Sequence, residues 1–145
     1  MKVEFCRDPS AQETRVLVLA RERTPEVEAL MQRLRAPATF AAYDGERGEV
    51  LLRAEEIIRV YTEKRRVLVD SRRGTFALRT RLYEMEARLD AQEFVRISNS
   101  EIVRRDCILH LDFSLTGTIR LSLQGGAETY VSRRYVSRIR RIFES

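Results

Sequence analysis

Ile57-Ile58-Arg59-Val60-Tyr61-Thr62, Glu63-Lys64-Arg65-Arg66 and Val67-Leu68-Val69-Asp70 follow one another without a break, and their reading decides the fold. Both flanks are rich in β-branched and aliphatic residues. The four charged residues between them stay in water, so the stretch predicts two strands joined by a charged hairpin loop. Arg72-Arg73-Gly74 supplies the next turn, and Thr75 to Leu78 the next strand. Before this core, Thr39 to Asp44 and Glu49 to Arg53 flank Gly45-Glu46-Arg47-Gly48, a turn-rich connection that predicts a further hairpin.

Toward the C-terminus, Thr80 is placed to cap a helix that puts Leu82, Met85 and Leu89 on one face and Glu84 and Glu86 on others. Phe94 to Ile97 reads as a strand. Ser98-Asn99-Ser100-Glu101 has capping-box spacing, which predicts a short helix with Asn99 in its exposed first turn. Cys107 to Ser114 and Thr118 to Leu123 read as strands around the Thr116-Gly117 turn. Gln124-Gly125-Gly126-Ala127 then turns the chain before Thr129 to Val131, completing a meander. Ser132 caps a final helix whose Tyr135, Val136, Ile139, Ile142 and Phe143 form an apolar stripe, with Arg134, Arg138 and Arg141 on another face.

At the other end, Lys2 to Cys6 alternates polar and apolar residues and Arg15 to Ala20 is a short apolar run, so both read as strands of a hairpin. Thr24 and Pro25 then start a helix carrying Val27, Leu30, Met31 and Leu34, which Pro37 ends. The expected organisation is a β-β-α extension over residues 1–40, which either extends the core or forms a dimer contact, followed by one main domain over residues 41–145. The class is α+β and strand-dominated.

The 145 residues, 43% hydrophobic and 34% charged, fit one main core and argue against disorder throughout. No apolar run is long enough for a transmembrane helix, and no basic stretch precedes a long apolar segment as in a secretory signal. A cytoplasmic location away from membranes is the expectation. Cys6 and Cys107 belong to no close-spaced thiol motif and read as reduced, buried small residues, not as a disulfide or zinc site. The net charge of +5 is unevenly spread: residues 1–40 carry seven basic and six acidic side chains, whereas residues 131–145 carry five and one. A neutral body with a basic C-terminal end points to a local anionic contact.

Catalytic devices lack parts. The single histidine, His110, alternates with Leu109 and Leu111 in a strand, and although Asp112 is two residues away, no nucleophile turn accompanies them. Glu55-Glu56 and Glu84 with Glu86 have the pattern of solvated charged faces. Gly125-Gly126 lacks the strand-to-helix setting of a phosphate loop. A non-enzyme with no cofactor, no metal and no small-molecule substrate is therefore expected. Three basic elements remain: Lys64-Arg65-Arg66, Arg104-Arg105, and the Arg133 to Arg141 series. Arginines in separate loops and on a helix can track phosphates while a few reach base edges.

From about Glu49 to Phe143 the chain resembles the LytTR family of DNA-binding domains. The likeness is carried by Ile57-Ile58-Arg59-Val60-Tyr61 before a basic loop, Leu82-Tyr83-Glu84-Met85-Glu86, Phe94-Val95-Arg96-Ile97-Ser98-Asn99-Ser100 with Ile102-Val103, and Tyr130-Val131-Ser132-Arg133-Arg134-Tyr135. The resemblance implies a strand-built domain that presents loops to successive major grooves and bends the duplex. It implies base contacts from Arg65, beside Arg66, from Asn99 and from Arg134, with Lys64, Ser98, Ser100, Arg133 and Arg138 positioning the DNA backbone. Many members carry His-Arg where this chain has Ser98-Asn99, and asparagine where it has Arg104, which implies an altered sequence preference. Residues 1–40 are too short for a receiver domain, so the expected type is the stand-alone one: a homodimer acting on promoter repeats in double-stranded DNA.

Two other classes compete. An RNA-binding module would use exposed aromatic platforms, whereas Tyr61, Phe76, Phe94 and Phe113 lie in strand patterns. A protein-interaction adaptor would keep its function with Arg65, Asn99 and Arg134 all replaced by alanine.

Overall fold

A computed structural model describes residues 1–35, 39–45 and 48–144. The chain divides into two compact units, Met1–Ala36 and Pro37–Ser145.

In the first unit the regular element is helix α1, Pro25–Arg35. Thr24 Oγ1 accepts from the Val27 amide at 3.2 Å, the expected cap, and Pro25 occupies the first helical position. The expected strands Lys2 to Cys6 and Arg15 to Ala20 do not form. An isolated two-stranded hairpin is marginal in water, and here its apolar side chains meet no second layer: Val3 is 86% exposed, Phe5 91% and Leu19 91%. Pro37, expected to end the helix, and Glu46-Arg47, the middle of the next expected turn, lie outside the described residues.

The second unit is built from strands. β1 (Thr39–Tyr43) and β2 (Glu49–Arg53) form the expected hairpin, with Gly45 and Gly48 at positive φ. β3 (Ile57–Glu63), β4 (Arg66–Ser71) and β5 (Gly74–Leu78) follow, then helix α2 (Leu82–Arg88) and the pair β6 (Phe94–Ser98) and β7 (Glu101–Arg104). These strands make one antiparallel sheet in the order β2-β1-β5-β4-β3-β7-β6. β8 (Ile108–Asp112), β9 (Ile119–Leu123) and β10 (Glu128–Val131) form the expected meander as a separate three-stranded sheet, and helix α3 (Arg133–Phe143) ends the unit.

Two apolar cores lie on opposite faces of β3, β7 and β6. Phe40, Leu52, Ile57, Val60, Val69, Met85 and Ile102 fill one beneath α2; Val95, Ile97, Val103, Leu121, Val131 and Ile139 fill the other between the sheets and α3. A break in register at Ile58 lets Ile57 and Val60 enter the first core while Ile58 enters the second, which strict alternation would not allow.

Two local expectations are overturned. Residues 98–101 form a turn between β6 and β7, not a helix start. The Ser98 hydroxyl accepts from the Ser100 amide at 3.1 Å within the turn, Glu101 is held by Arg59 and Thr129, and Ile102 and Val103 point to opposite cores. Burial on two faces with a period of two outweighs a capping pattern. Second, the residue before α2 is Arg81, not Thr80, and makes no side-chain cap; burial of Leu82, Met85 and Leu89 holds this seven-residue helix instead. Cys107 is buried as expected, whereas Cys6 is exposed.

Candidate nucleic-acid interface

Three sequence-distant elements meet at one end of the large sheet. β3 ends at the Lys64-Arg65 turn. β7 runs antiparallel to β3 and pairs Tyr61 with Glu101, which sets the Ser98–Ser100 turn beside that tip. The Thr62 amide donates to Ser100 O at 2.9 Å and fixes the two turns together. The Ser132 amide donates to Ile97 O at 2.9 Å, bringing the start of α3 to the same end. Arg65, Asn99 and Arg134, expected on sequence grounds to share one task, are thus brought to one surface, each with its side chain exposed.

The Lys64-Arg65 turn is the one of these elements with non-glycine residues at positive φ. Both residues have positive φ, 50° and 64°, in a two-residue connection between paired Glu63 and Arg66. This is the primed turn that a twisted hairpin requires, normally supplied by Asn-Gly. Lysine and arginine in left-handed backbone each cost roughly 1 kcal/mol. In return the turn presents two cations at its outermost points, with Arg66 directly across from Glu63.

At the second turn, Ser98 is half-buried while Asn99 and Ser100 are exposed. The hydroxyls of Ser98 and Ser100 lie 3.2 Å apart, and Tyr135 Oη on α3 stands 3.5 Å from Asn99 Oδ1. On α3, Arg133 and Arg134 are exposed in the first turn, where Ser132 stands at the cap position without a side-chain cap bond. Arg133 leans over the β8–β9 loop, its Nε 3.4 Å from where a side chain on Gly117 would begin. Arg138, one turn beyond Arg134, lines a shallow depression of about 150 Å³ with Glu86, Arg96 and Phe94.

Arg104, counted above with Arg105 as a basic element, does not join this surface. It is buried, donates from Nε to Ile57 O at 2.7 Å and to Ala54 O from Nη2, and stacks on Phe94, so it anchors the chain ahead of β3. Arg105 donates to Gln92 O. Glu56 and Glu86, weighed above as surface acids, pair with Arg73 and Arg96. Among the described residues no cluster of acids, histidines or cysteines could hold a metal ion.

Sequence reading missed what holds the surface together. Arg59 binds Asp70 at 2.7 Å and Glu101 at 3.2 Å, Tyr61 and Thr75 also donate to Asp70, and Thr129 of β10 donates to Glu101. This network runs from the β3–β4 hairpin through the foot of the second turn to the strand that leads into α3. Charged residues inside apolar strands, Arg59 and Arg96, were the available signal.

The sequence model of the LytTr DNA-binding domain matches residues 48–144. The chain belongs to the LytTr DNA-binding domain family. The LytTr fold is also that of a solved LytTr DNA-binding domain from Bacillus cereus, with a TM-score of 0.69 at 20% identity, covering 74% of this chain and 99% of that one. Over 90 residues the chain is 38% identical to a protein of Staphylococcus aureus strain bovine RF122 and 36% identical to one of strain NCTC 8325, both named as uncharacterized HTH-type transcriptional regulators. The matched region spans 62% of this chain and 60% of each relative. The LytTr unit itself has no helix-turn-helix among its described residues, since strands separate α2 from α3.

Proposed function

We propose that this protein is a sequence-specific transcription regulator that reads double-stranded DNA with three elements: the Lys64-Arg65-Arg66 turn, the Ser98-Asn99-Ser100 turn and the start of α3. The observation that carries the reading is the convergence of these elements at one end of the sheet through the Thr62–Ser100 and Ser132–Ile97 backbone bonds. Arg65 and Arg134 are suited to grip guanine O6 and N7 with two hydrogen bonds, and Asn99 to a base edge. Lys64, Arg66, Ser98, Ser100, Arg133 and Arg138 position the phosphate backbone. The three elements are proposed to enter successive major grooves on one side of a duplex.

Of the aromatics expected in strands, Phe94 is buried and Tyr61, Phe76 and Phe113 are half-buried, so none of these four is an open stacking platform for single-stranded RNA, although Tyr83 and Tyr130 are exposed. The regulator acts in the cytoplasm, without enzymatic activity, as a homodimer on promoter repeats through residues 1–40. Sedimentation showing a monomer both free and on DNA would remove the dimer.

The decisive experiment is an anisotropy titration of the full chain against its own promoter and against a scrambled duplex at about 0.15 M salt, where long-range charge attraction is screened. Preference for the promoter supports the reading. Should both duplexes bind equally weakly, selection from a random duplex pool decides between a distant operator and an adaptor that does not read DNA.

A further inference from the structure

Arg96 lies inside the alternating strand β6, between the core residues Val95 and Ile97, yet it is neither surface charge nor core. Its side chain is 13% exposed, and three guanidinium nitrogens have separate acceptors. Nε donates to Ser98 O at 2.6 Å, Nη2 to Asn99 O at 2.7 Å, and Nη1 to Glu86 Oε1 on α2 at 3.2 Å. One rigid planar group therefore grips two successive carbonyls of the turn and fastens them to a helix of the core.

From this geometry we infer that Arg96 is the positioning residue for base reading by Asn99, an inference that rests on the DNA-reading function proposed above. A turn residue can discriminate a base only if its backbone is held to within a fraction of an ångström, because a bidentate contact fails with small displacements. The Thr62 amide and the Ser98 hydroxyl hold Ser100, but Asn99 is exposed, its side-chain oxygen has only the long 3.5 Å approach of Tyr135, and its own carbonyl is held by Arg96. Lysine would keep the charge of Arg96 but offers a single nitrogen, which cannot span both carbonyls and the carboxylate. Glu86 completes the device by holding the fork in its plane. It also neutralises the guanidinium, so Arg96 adds little to phosphate attraction.

The test uses the full chain, a duplex that the wild type selects from a random pool, and a scrambled duplex. Arg96→Lys is expected to lower the affinity ratio between the two duplexes roughly tenfold, the size of one lost base discrimination. Affinity for the scrambled duplex and its salt dependence stay at wild-type values. Glu86→Gln, which leaves Arg96 in place, gives a smaller loss in the same direction. In both variants hydrogen exchange quickens at the Ser98–Ser100 amides while the core amides keep their protection.

A salt dependence shallower by about one charge on both duplexes would make Arg96 a phosphate contact and overturn the inference. An unchanged affinity ratio would overturn it too, as would faster exchange throughout the sheet, the mark of lost stability alone. Failure of the underlying function looks different: the wild type selects no duplex and Asn99→Ala changes nothing, and the inference then falls with that function.

Discussion

Thr129 donates its hydroxyl to Glu101 Oε1 at 2.6 Å, a bond from the small sheet to the large one at the end where the three basic elements meet. Glu101 also receives Arg59, and both acid and arginine are largely withdrawn from water. Thr129→Val keeps the shape and removes the donor, so it should destabilise the protein by about 1.5–3 kcal/mol, the range for a hydrogen bond to a charged group. Glu101→Ala leaves Arg59 with Asp70 alone and should cost about 2 kcal/mol, below the loss expected when a buried charge keeps no partner. Urea unfolding measures both; values near zero would mean that the sheets are held by apolar packing alone.

The strained Lys64-Arg65 turn predicts opposite effects on stability and binding. Replacing the pair by Asn-Gly, residues that accept positive φ readily, should stabilise the domain by about 1–2 kcal/mol. The same change removes two outward cations and should weaken binding to the promoter. Stability from urea unfolding and affinity at fixed salt are read on one preparation. Gain of stability with undiminished binding would remove this turn from the interface.

Arg134 and Arg138 lie four residues apart on α3 and are expected to act differently. Arg134→Ala should weaken specific binding by roughly 1–3 kcal/mol and relax discrimination at one base pair. Arg138→Ala should weaken promoter and scrambled duplex alike and flatten the dependence of affinity on salt by about one charge. Equal, sequence-blind losses from the two variants would contradict the assignment.

Within the LytTr unit, strands with a period of two were legible from sequence, as were both ends of the charged hairpin, whereas Lys2 to Cys6 alternates as clearly and forms no strand because its apolar side chains meet no second layer. The strand at Glu101–Arg104 was not legible, because it is buried on both faces and its charged residues are satisfied by partners far along the chain: Arg59 for Glu101, and the Ile57 and Ala54 carbonyls for Arg104. Local spacing around Ser98 favoured a helix, and the tertiary partners of Glu101 together with burial of Ile102 and Val103 in opposite cores reverse that preference. Arg65, Asn99 and Arg134 could be singled out from residue type and resemblance, but their common placement depends on two backbone hydrogen bonds that no side-chain pattern encodes. The clamp by Arg96 is hidden for the same reason: its acceptors include main-chain carbonyls, whose positions follow from the turn and not from residue identity.

The two cysteines provide a probe of how firmly the second core is closed. Cys107 is buried in the second core, and burial pushes its thiol above the usual range, with Arg104 and Arg72 opposing the shift. Reaction requires an accessible thiolate, so Cys107 is both hidden and protonated near neutral pH, whereas Cys6 is open to solvent. A disulfide reagent at pH 8 should therefore modify one thiol per chain quickly, and the second only as the core opens. The second reaction should follow the rate or equilibrium of opening. Glu101→Ala should accelerate modification of Cys107 if the bond to Thr129 closes the second core, while leaving Cys6 unaffected. Equal and rapid reaction of both thiols in the wild type would show that the contact between the two sheets opens readily.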